Sequence, residues 1–172
     1  RLIENGIDVT IYDPAPDAAE KVEAVLKNSR YAYSKLISVQ RANEGTIHYC
    51  DSTEMAVQNA ELIIESVPER LDIKQSVYAE IEKFAPKAAL IASSTSGIMP
   101  SDLQDGMQNP ERLLVAHPFN PVYLLPLVEL VGGKQTTIET IERAKQIYIA
   151  IGMHPLHVKK EIEAFIADRL LE

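Results

Sequence analysis

Short apolar runs alternate along this chain with longer stretches of helical period, and that alternation restricts the fold more than any other feature. The runs occupy residues 7–12, 61–65, 89–93, 113–116, 127–131 and 154–158 and are rich in Ile, Val and Leu. Between them, residues 18–36 place Val22, Val25, Leu26, Ala32 and Leu36 at helical intervals. Residues 71–84 do the same with Leu71, Val77, Ile81 and Phe84, and residues 138–151 with Ile141, Ala144, Ile147, Tyr148 and Ile151. Strands and helices in alternation imply crossover connections, which leave neighbouring strands parallel. The expected fold is α/β, a mostly parallel sheet with helices on both faces. At 172 residues and 46% hydrophobic content the chain can bury one such core.

The first run ends at Asp13, where Pro14 and Pro16 stop it. An acidic residue closing such a strand points to a dinucleotide-binding sheet, where it accepts hydrogen bonds from the adenosine ribose about 20 residues after a Gly-rich phosphate loop. Asp13 is equally consistent with a strand that simply ends in a Pro-rich turn. None of the seven glycines, at 6, 45, 97, 106, 132, 133 and 152, forms GxGxxG. Counting back from Asp13 passes residue 1, so Arg1 to Glu4 is expected to be the tail of the helix after that loop, with Asn5-Gly6 as its stop. The expected domain is Rossmann-like, covers residues 1–160, and lacks its first strand and Gly-rich loop. Residues 161–172 are expected to open a second, all-helical domain, with a helix over 162–171 that meets no stop signal at Glu172.

Composition excludes several partners. The net charge of −8, with acidic residues scattered, leaves no electrostatic footprint for nucleic acid or an anionic membrane surface. A small molecule is the expected partner. Cys50 is the single cysteine, so an internal disulfide and a cysteine-built metal site are excluded, and a reducing, cytoplasmic setting is expected. The histidines at 48, 117, 154 and 157 form no HxxxH pair, and no metal is expected. No apolar run approaches the roughly 18 residues of a spanning helix.

The chemistry concentrates in His117-Pro118-Phe119-Asn120-Pro121 and the following stretch to Glu129. His117 follows the apolar run Leu113 to Ala116 and so stands at the carboxyl end of a strand, the edge where open α/β sheets bind ligands. Imidazole suits proton transfer near neutrality. Glu129 interrupts the next apolar run, and a carboxylate beside imidazole fixes its tautomer and stabilises the protonated ring. Asn120 supplies an amide donor, and Ser93-Ser94-Thr95-Ser96-Gly97 after the preceding run supplies hydroxyls for the same substrate oxygen. Each has a plainer alternative: a capped strand-end histidine, a surface carboxylate, a helix-capping loop. Their joint placement at strand ends favours an acid/base centre. Phe119 and Tyr123 are expected to pack rather than to recognise a cation.

These residues resemble the 3-hydroxyacyl-CoA dehydrogenase superfamily, and within it the carnitine dehydrogenases most. The resemblance covers essentially the whole chain and rests on Tyr12-Asp13-Pro14-Ala15-Pro16, Glu65 to Lys74, Ser93 to Gly97, His117 to Glu129, and Phe165 to Glu172. Ser96 and His117 stand 21 apart, the spacing of that family's catalytic pair. The resemblance implies NAD-dependent oxidation of the 3-hydroxyl of L-carnitine to 3-dehydrocarnitine. Ser96 and Asn120 would bind the reacting hydroxyl, His117 would be the general base, and Glu129 would orient it. Asp13 would hold the adenosine ribose, with Glu69, Lys74 and Ser94 nearer the nicotinamide side; Asp13 without a neighbouring Arg favours NAD over its 2′-phosphorylated form. Phe119, Ile166 and Asp168 would line the substrate pocket. Hydroxyacyl-CoA dehydrogenases carry Phe and Asn where this chain has Pro118 and Asp168, whereas carnitine dehydrogenases match it at both. Glu163-Ala164 departs from the Pro-Gly of carnitine dehydrogenases. The family dimerises through C-terminal helices, so a homodimer is expected of a full-length protein, and residues 1–172 alone are expected to be inactive. The alternatives are a 3-hydroxyacyl-CoA or L-gulonate 3-dehydrogenase and a non-catalytic, crystallin-type relative.

Overall fold

In the computed structural model, which describes residues 1–36 and 43–166, the apolar runs form strands and the periodic stretches form helices. In chain order the elements are β1 (Val9–Ile11), α1 (Ala18–Ser34), β2 (Ile47–Tyr49), α2 (Thr53–Val57), β3 (Leu62–Glu65), α3 (Leu71–Phe84), β4 (Leu90–Ser93), α4 (Pro100–Leu103), β5 (Leu113–Pro118), β6 (Leu127–Gly132), α5 (Ile138–Ala150) and β7 (His154–Val158). Strands β3-β4-β5-β6-β7 form one sheet in that order. Every neighbouring pair in it is parallel except β5 and β6. The exception follows from the connection, since residues 119–126 are too few for a crossover and turn the chain straight back.

Helices cover both faces of this sheet, as the alternation predicts. Leu90, Ala92, Leu114, Ala116, Val128 and Leu130 pack on one side with Ile141, Ala144 and Tyr148 of α5. Ile91, Leu113, Val115 and Val131 pack on the other with Tyr78 and Ile81 of α3 and Leu103 of α4. β4 is buried at all four positions, which explains why it reads as a continuous apolar run.

Several expectations are corrected. β1 pairs in parallel with β2 in a separate two-stranded sheet, where one sheet is expected. Sequence pattern misses β2 because three residues with an exposed His48 carry no apolar run. It also misses α2, whose Ser52 caps the Met55 N–H at 3.2 Å, and α4, a single turn opened by Pro100. Gly45 lets the chain entering β2 pass against β1, because a Cβ there would overlap the Ile7 carbonyl. Gly6, in the left-handed conformation, stops the short 3₁₀ turn Ile3–Asn5, as the Asn-Gly signal predicts.

α1 is helical but buries a different stripe. Val25 and Leu36 are 55% and 48% exposed, whereas Ser29 is 2% exposed. The inward line runs through Val22, Leu26, Ser29 and Tyr33, because polar groups dock it: the Ser29 hydroxyl donates to Glu4, and the Tyr33 hydroxyl donates to the Tyr123 carbonyl at 2.5 Å. The helix expected over 162–171 is not present across its described part. Residues 163–166 form turns, with Ala164 and Phe165 at φ 58° and 48°, far from the helical −63°. That turn buries the Phe165 ring completely in the core beside α3. Residues 167–172, Asp168 among them, lie outside the described residues.

Candidate active site

Because β3, β4 and β5 run parallel, their carboxyl ends bring Glu65, Ser93 and His117 to one edge of the sheet. The antiparallel return of β6 then sets Glu129 directly opposite His117 in the ladder. Directly opposed side chains share a face and come within bonding reach. His117 Nδ1 lies 3.0 Å from Glu129 Oε2, and the two residues are 8% and 1% exposed. An ionised carboxylate only accepts, so Nδ1 carries the hydrogen and Nε2 is left as the basic nitrogen. The other carboxylate oxygen, Oε1, accepts the Ile166 N–H at 3.0 Å. Phe119 and Phe165 flank the imidazole with ring centroids 5.5 and 5.6 Å away. This apolar setting limits screening of the His–Glu pair.

A second polar cluster lies at the same edge, built around Glu65, a residue that carries no site expectation in the sequence. Its Oε1 accepts the Val67 N–H and the Lys74 ammonium, both at 2.8 Å. Its Oε2 accepts the Tyr78 hydroxyl at 2.5 Å and the Ser93 hydroxyl at 2.8 Å. Burial, and then the Glu65 charge, push the Tyr78 phenol well above its ordinary range, so it stays a donor. Glu65 and Ser93 close apolar runs, and polar residues ending two adjacent strands are the signal that would have found them.

From this buried base the network climbs to the serine loop. Lys74 also lies 3.5 Å from Glu69 Oε2. Glu69 Oε1 accepts from the Thr95 hydroxyl, from the Ser96 N–H at 3.2 Å and from the Gly97 N–H at 3.3 Å. Burial raises the Glu69 carboxyl, but the Thr95 hydroxyl, the Lys74 charge and the two N–H groups outweigh it and hold the group below its ordinary value. Thr95 in turn accepts the Ile98 N–H at 3.0 Å. Thr95 therefore closes a turn of its own loop rather than capping a helix, since α4 opens after Met99 with no side-chain cap, and the exposed Ser96 side chain stays outside that turn.

The structure thus brings His117, Glu129, Phe119 and Ile166 together, and separately gathers Glu69, Lys74 and Ser96. Ser94 sits beside them, its hydroxyl 3.1 Å from that of Ser66. Lys74 is 1% exposed and turned to Glu65. Asn120 is exposed and opens onto a cleft with Arg1, Val25, Leu26 and Tyr123 rather than bonding His117. Asp13 follows β1, on the other sheet, exposed and with Oδ1 taking the Ala15 N–H at 2.8 Å. Asp13 and Glu69 are exposed carboxylates in the loops that follow β1 and β3, and acceptors of that kind fit the hydroxyl donors of the two dinucleotide riboses. Among the described residues no group of three or more His, Cys, Asp or Glu is placed to hold a metal ion. Among them also, no helix is long and apolar enough to cross a membrane.

Comparison with known proteins gives this geometry a family. The L-carnitine dehydrogenase of Mesorhizobium japonicum is 56% identical over 100% of this chain and 48% of its own length. That of Oceanobacillus iheyensis is 49% identical over 100% of this chain and 56% of its own. The chain therefore spans about half the length of the curated relatives it matches. Among solved structures, an NAD+-dependent dismutase, 5-formyl-3-hydroxy-2-methylpyridine 4-carboxylic acid 5-dehydrogenase, superposes with a TM-score of 0.90 at 34% identity, covering 99% of this chain and 55% of that one. The profile described as 3-hydroxyacyl-CoA dehydrogenase, NAD binding domain, matches residues 1–162, and the chain belongs to that family.

Proposed function

We propose that this chain is the nucleotide-binding part of an NAD-dependent dehydrogenase that oxidises the 3-hydroxyl of L-carnitine to 3-dehydrocarnitine. The observation that carries the chemistry is the buried cross-strand pair of His117 and Glu129, 3.0 Å apart. With Nδ1 engaged, His117 Nε2 takes the hydroxyl proton, and Glu129 stabilises the imidazolium that forms. Ser96 and Asn120 donate hydrogen bonds to the oxygen as it becomes a carbonyl. NAD, when bound, would supply the hydride acceptor for the carbinol carbon. Asp13 and Glu69 would hold its riboses, with Lys74 placing a positive charge beneath Glu69 and Ser94 on the same side.

The substrate assignment rests on whole-chain identity of 56% and 49% to two L-carnitine dehydrogenases. Phe119, Ile166 and Asp168 wall the substrate, and the Asp168 carboxylate suits a trimethylammonium group better than a thioester. Residues 1–160 form the dinucleotide domain. The working enzyme is a cytoplasmic homodimer, in keeping with the lone Cys50.

The test is NADH formation by the full-length protein with L-carnitine, 3-hydroxybutyryl-CoA and L-gulonate in parallel. Turnover of carnitine alone is expected. Turnover of the CoA ester alone would overturn the substrate assignment, and turnover of none would favour a non-catalytic relative.

A further inference from the structure

The two oxygens of Glu69 do different things. Oε1 gathers three donors from one loop: the Thr95 hydroxyl and the N–H groups of Ser96 and Gly97. Oε2 has one neighbour among the described residues, the Lys74 ammonium at 3.5 Å, and the side chain is 48% exposed. Lys74 itself cannot follow a ligand, being buried and fixed to Glu65 at 2.8 Å. Glu69 is thus a half-exposed carboxylate with one end locked to the serine loop and the other facing outward over a fixed positive charge.

We infer that Glu69 is a positioning residue that couples the dinucleotide to the alcohol site: Oε2 accepts a ribose hydroxyl, and Oε1 fixes the loop that presents the Ser96 hydroxyl. The inference rests on the dehydrogenase reading above and adds a link between its two halves. At 3.5 Å the Lys74 ammonium holds Oε2 loosely, so the carboxylate can turn about its terminal bond and the loop donors turn with it; a ribose hydroxyl on Oε2 adds a second firm anchor and stops that turn. The Ser96 hydroxyl is therefore set for the alcohol only when the dinucleotide is in place, and the alcohol binds second. Glu65 belongs to the same device, because it anchors Lys74 below and Ser93, the residue from which the loop departs.

Amide exchange in the full-length protein tests this without turnover. At saturating NADH, exchange at the Ser96 and Gly97 amides is expected to slow about tenfold in the wild type, the factor equivalent to strengthening one hydrogen bond. In Glu69→Ala, also saturated with NADH, the slowing is expected to fall below about twofold, since no carboxylate joins ribose to loop. Glu69→Gln supplies a second, milder variant: its amide oxygen still takes the loop donors, while its NH₂ can only donate to a ribose oxygen and faces the Lys74 ammonium, so NADH is expected to protect the loop less than in the wild type. Equal protection in Glu69→Ala and wild type would overturn the coupling, as would NADH binding to the wild type without slower loop exchange. Failure of the wild type to bind NADH at all would overturn the cofactor reading and the coupling with it.

Discussion

Replacing Glu129 by Gln keeps shape and volume and removes one charge, so it isolates what the carboxylate does for His117. Glu129 Oε2 faces His117 Nδ1 and Oε1 faces the Ile166 N–H, both at 3.0 Å. A glutamine has one acceptor, and each way of placing it fails. If its oxygen keeps the Ile166 N–H, its NH₂ points at Nδ1, which must then accept; the ring hydrogen moves to Nε2 and the base is in the wrong tautomer. If the oxygen keeps Nδ1, the NH₂ meets the Ile166 N–H donor to donor, and two buried donors collide. In both cases the charge that stabilises the imidazolium is gone. A charge-assisted hydrogen bond contributes about 1.5–3 kcal/mol, one to two decades in rate, and the tautomer penalty adds to it. Glu129 is 1% exposed, so solvent does not screen the loss. The expected result for Glu129→Gln in the full-length enzyme is a fall in kcat of about two to four decades, with circular dichroism showing the fold retained. The assay is NADH absorbance under saturating carnitine and NAD. A kcat within about threefold of wild type would refute the argument, because such a change is under 1 kcal/mol.

Three further outcomes follow from the packing. Glu65→Gln leaves the Lys74 ammonium, 1% exposed, with weaker partners at Val67 and Glu69; unfolding in urea is expected to show a loss of about 3 kcal/mol, and adding Lys74→Met is expected to recover at least about 1 kcal/mol. No recovery would mean the pair is not what Glu65 supports. Gly133→Ala puts a Cβ against Gln104 Oε1 and 2.9 Å from the Pro100 carbonyl carbon. Gln104 is pinned by Pro110 and Thr136, so a cost of about 1–3 kcal/mol is expected, against under about 0.5 kcal/mol for Gly97→Ala, whose Cβ meets nothing within 4 Å. Last, the Glu69 carboxyl is held below its ordinary value of 4.5. What it lends the serine loop is therefore complete above that value and is lost as pH falls through the lower folded one. Exchange at Ser96 and Gly97, corrected for its intrinsic rate, should quicken on that acid side; Glu69→Ala should not show the step.

Much of the fold was legible because layers leave period in a sequence. β4 is buried on both faces and reads as an unbroken apolar run, while α5 repeats Ile141, Ala144 and Tyr148 at helical spacing because those residues sit on the sheet. Where polar contacts rather than apolar area hold an element, the pattern misleads. α1 turns Val25 to solvent since Ser29 and Tyr33 dock it, and residues 163–166 turn because burying Phe165 outweighs helical continuity. The site divides in the same way. His117 and Glu129 were readable because a charge in an apolar run marks itself, and their cross-strand register needs only a short return. Glu65 shows in the sequence only as a polar residue closing an apolar run; its role as the meeting point of four donors from three elements is not encoded by any spacing in one dimension. Asp13 stands on the second sheet, a separation that strand order alone does not reveal.

In the proposed reaction His117 removes a proton from the substrate hydroxyl while the carbon that bears this hydroxyl gives up hydride. Carnitine carrying deuterium at C3, turned over by the full-length enzyme with NAD, tests it directly by mass spectrometry of the nucleotide product. One deuterium is expected in the nicotinamide ring of each NADH formed, and none in water. Deuterium appearing in solvent, or an unlabelled NADH, would contradict hydride transfer from the carbon that bears the hydroxyl.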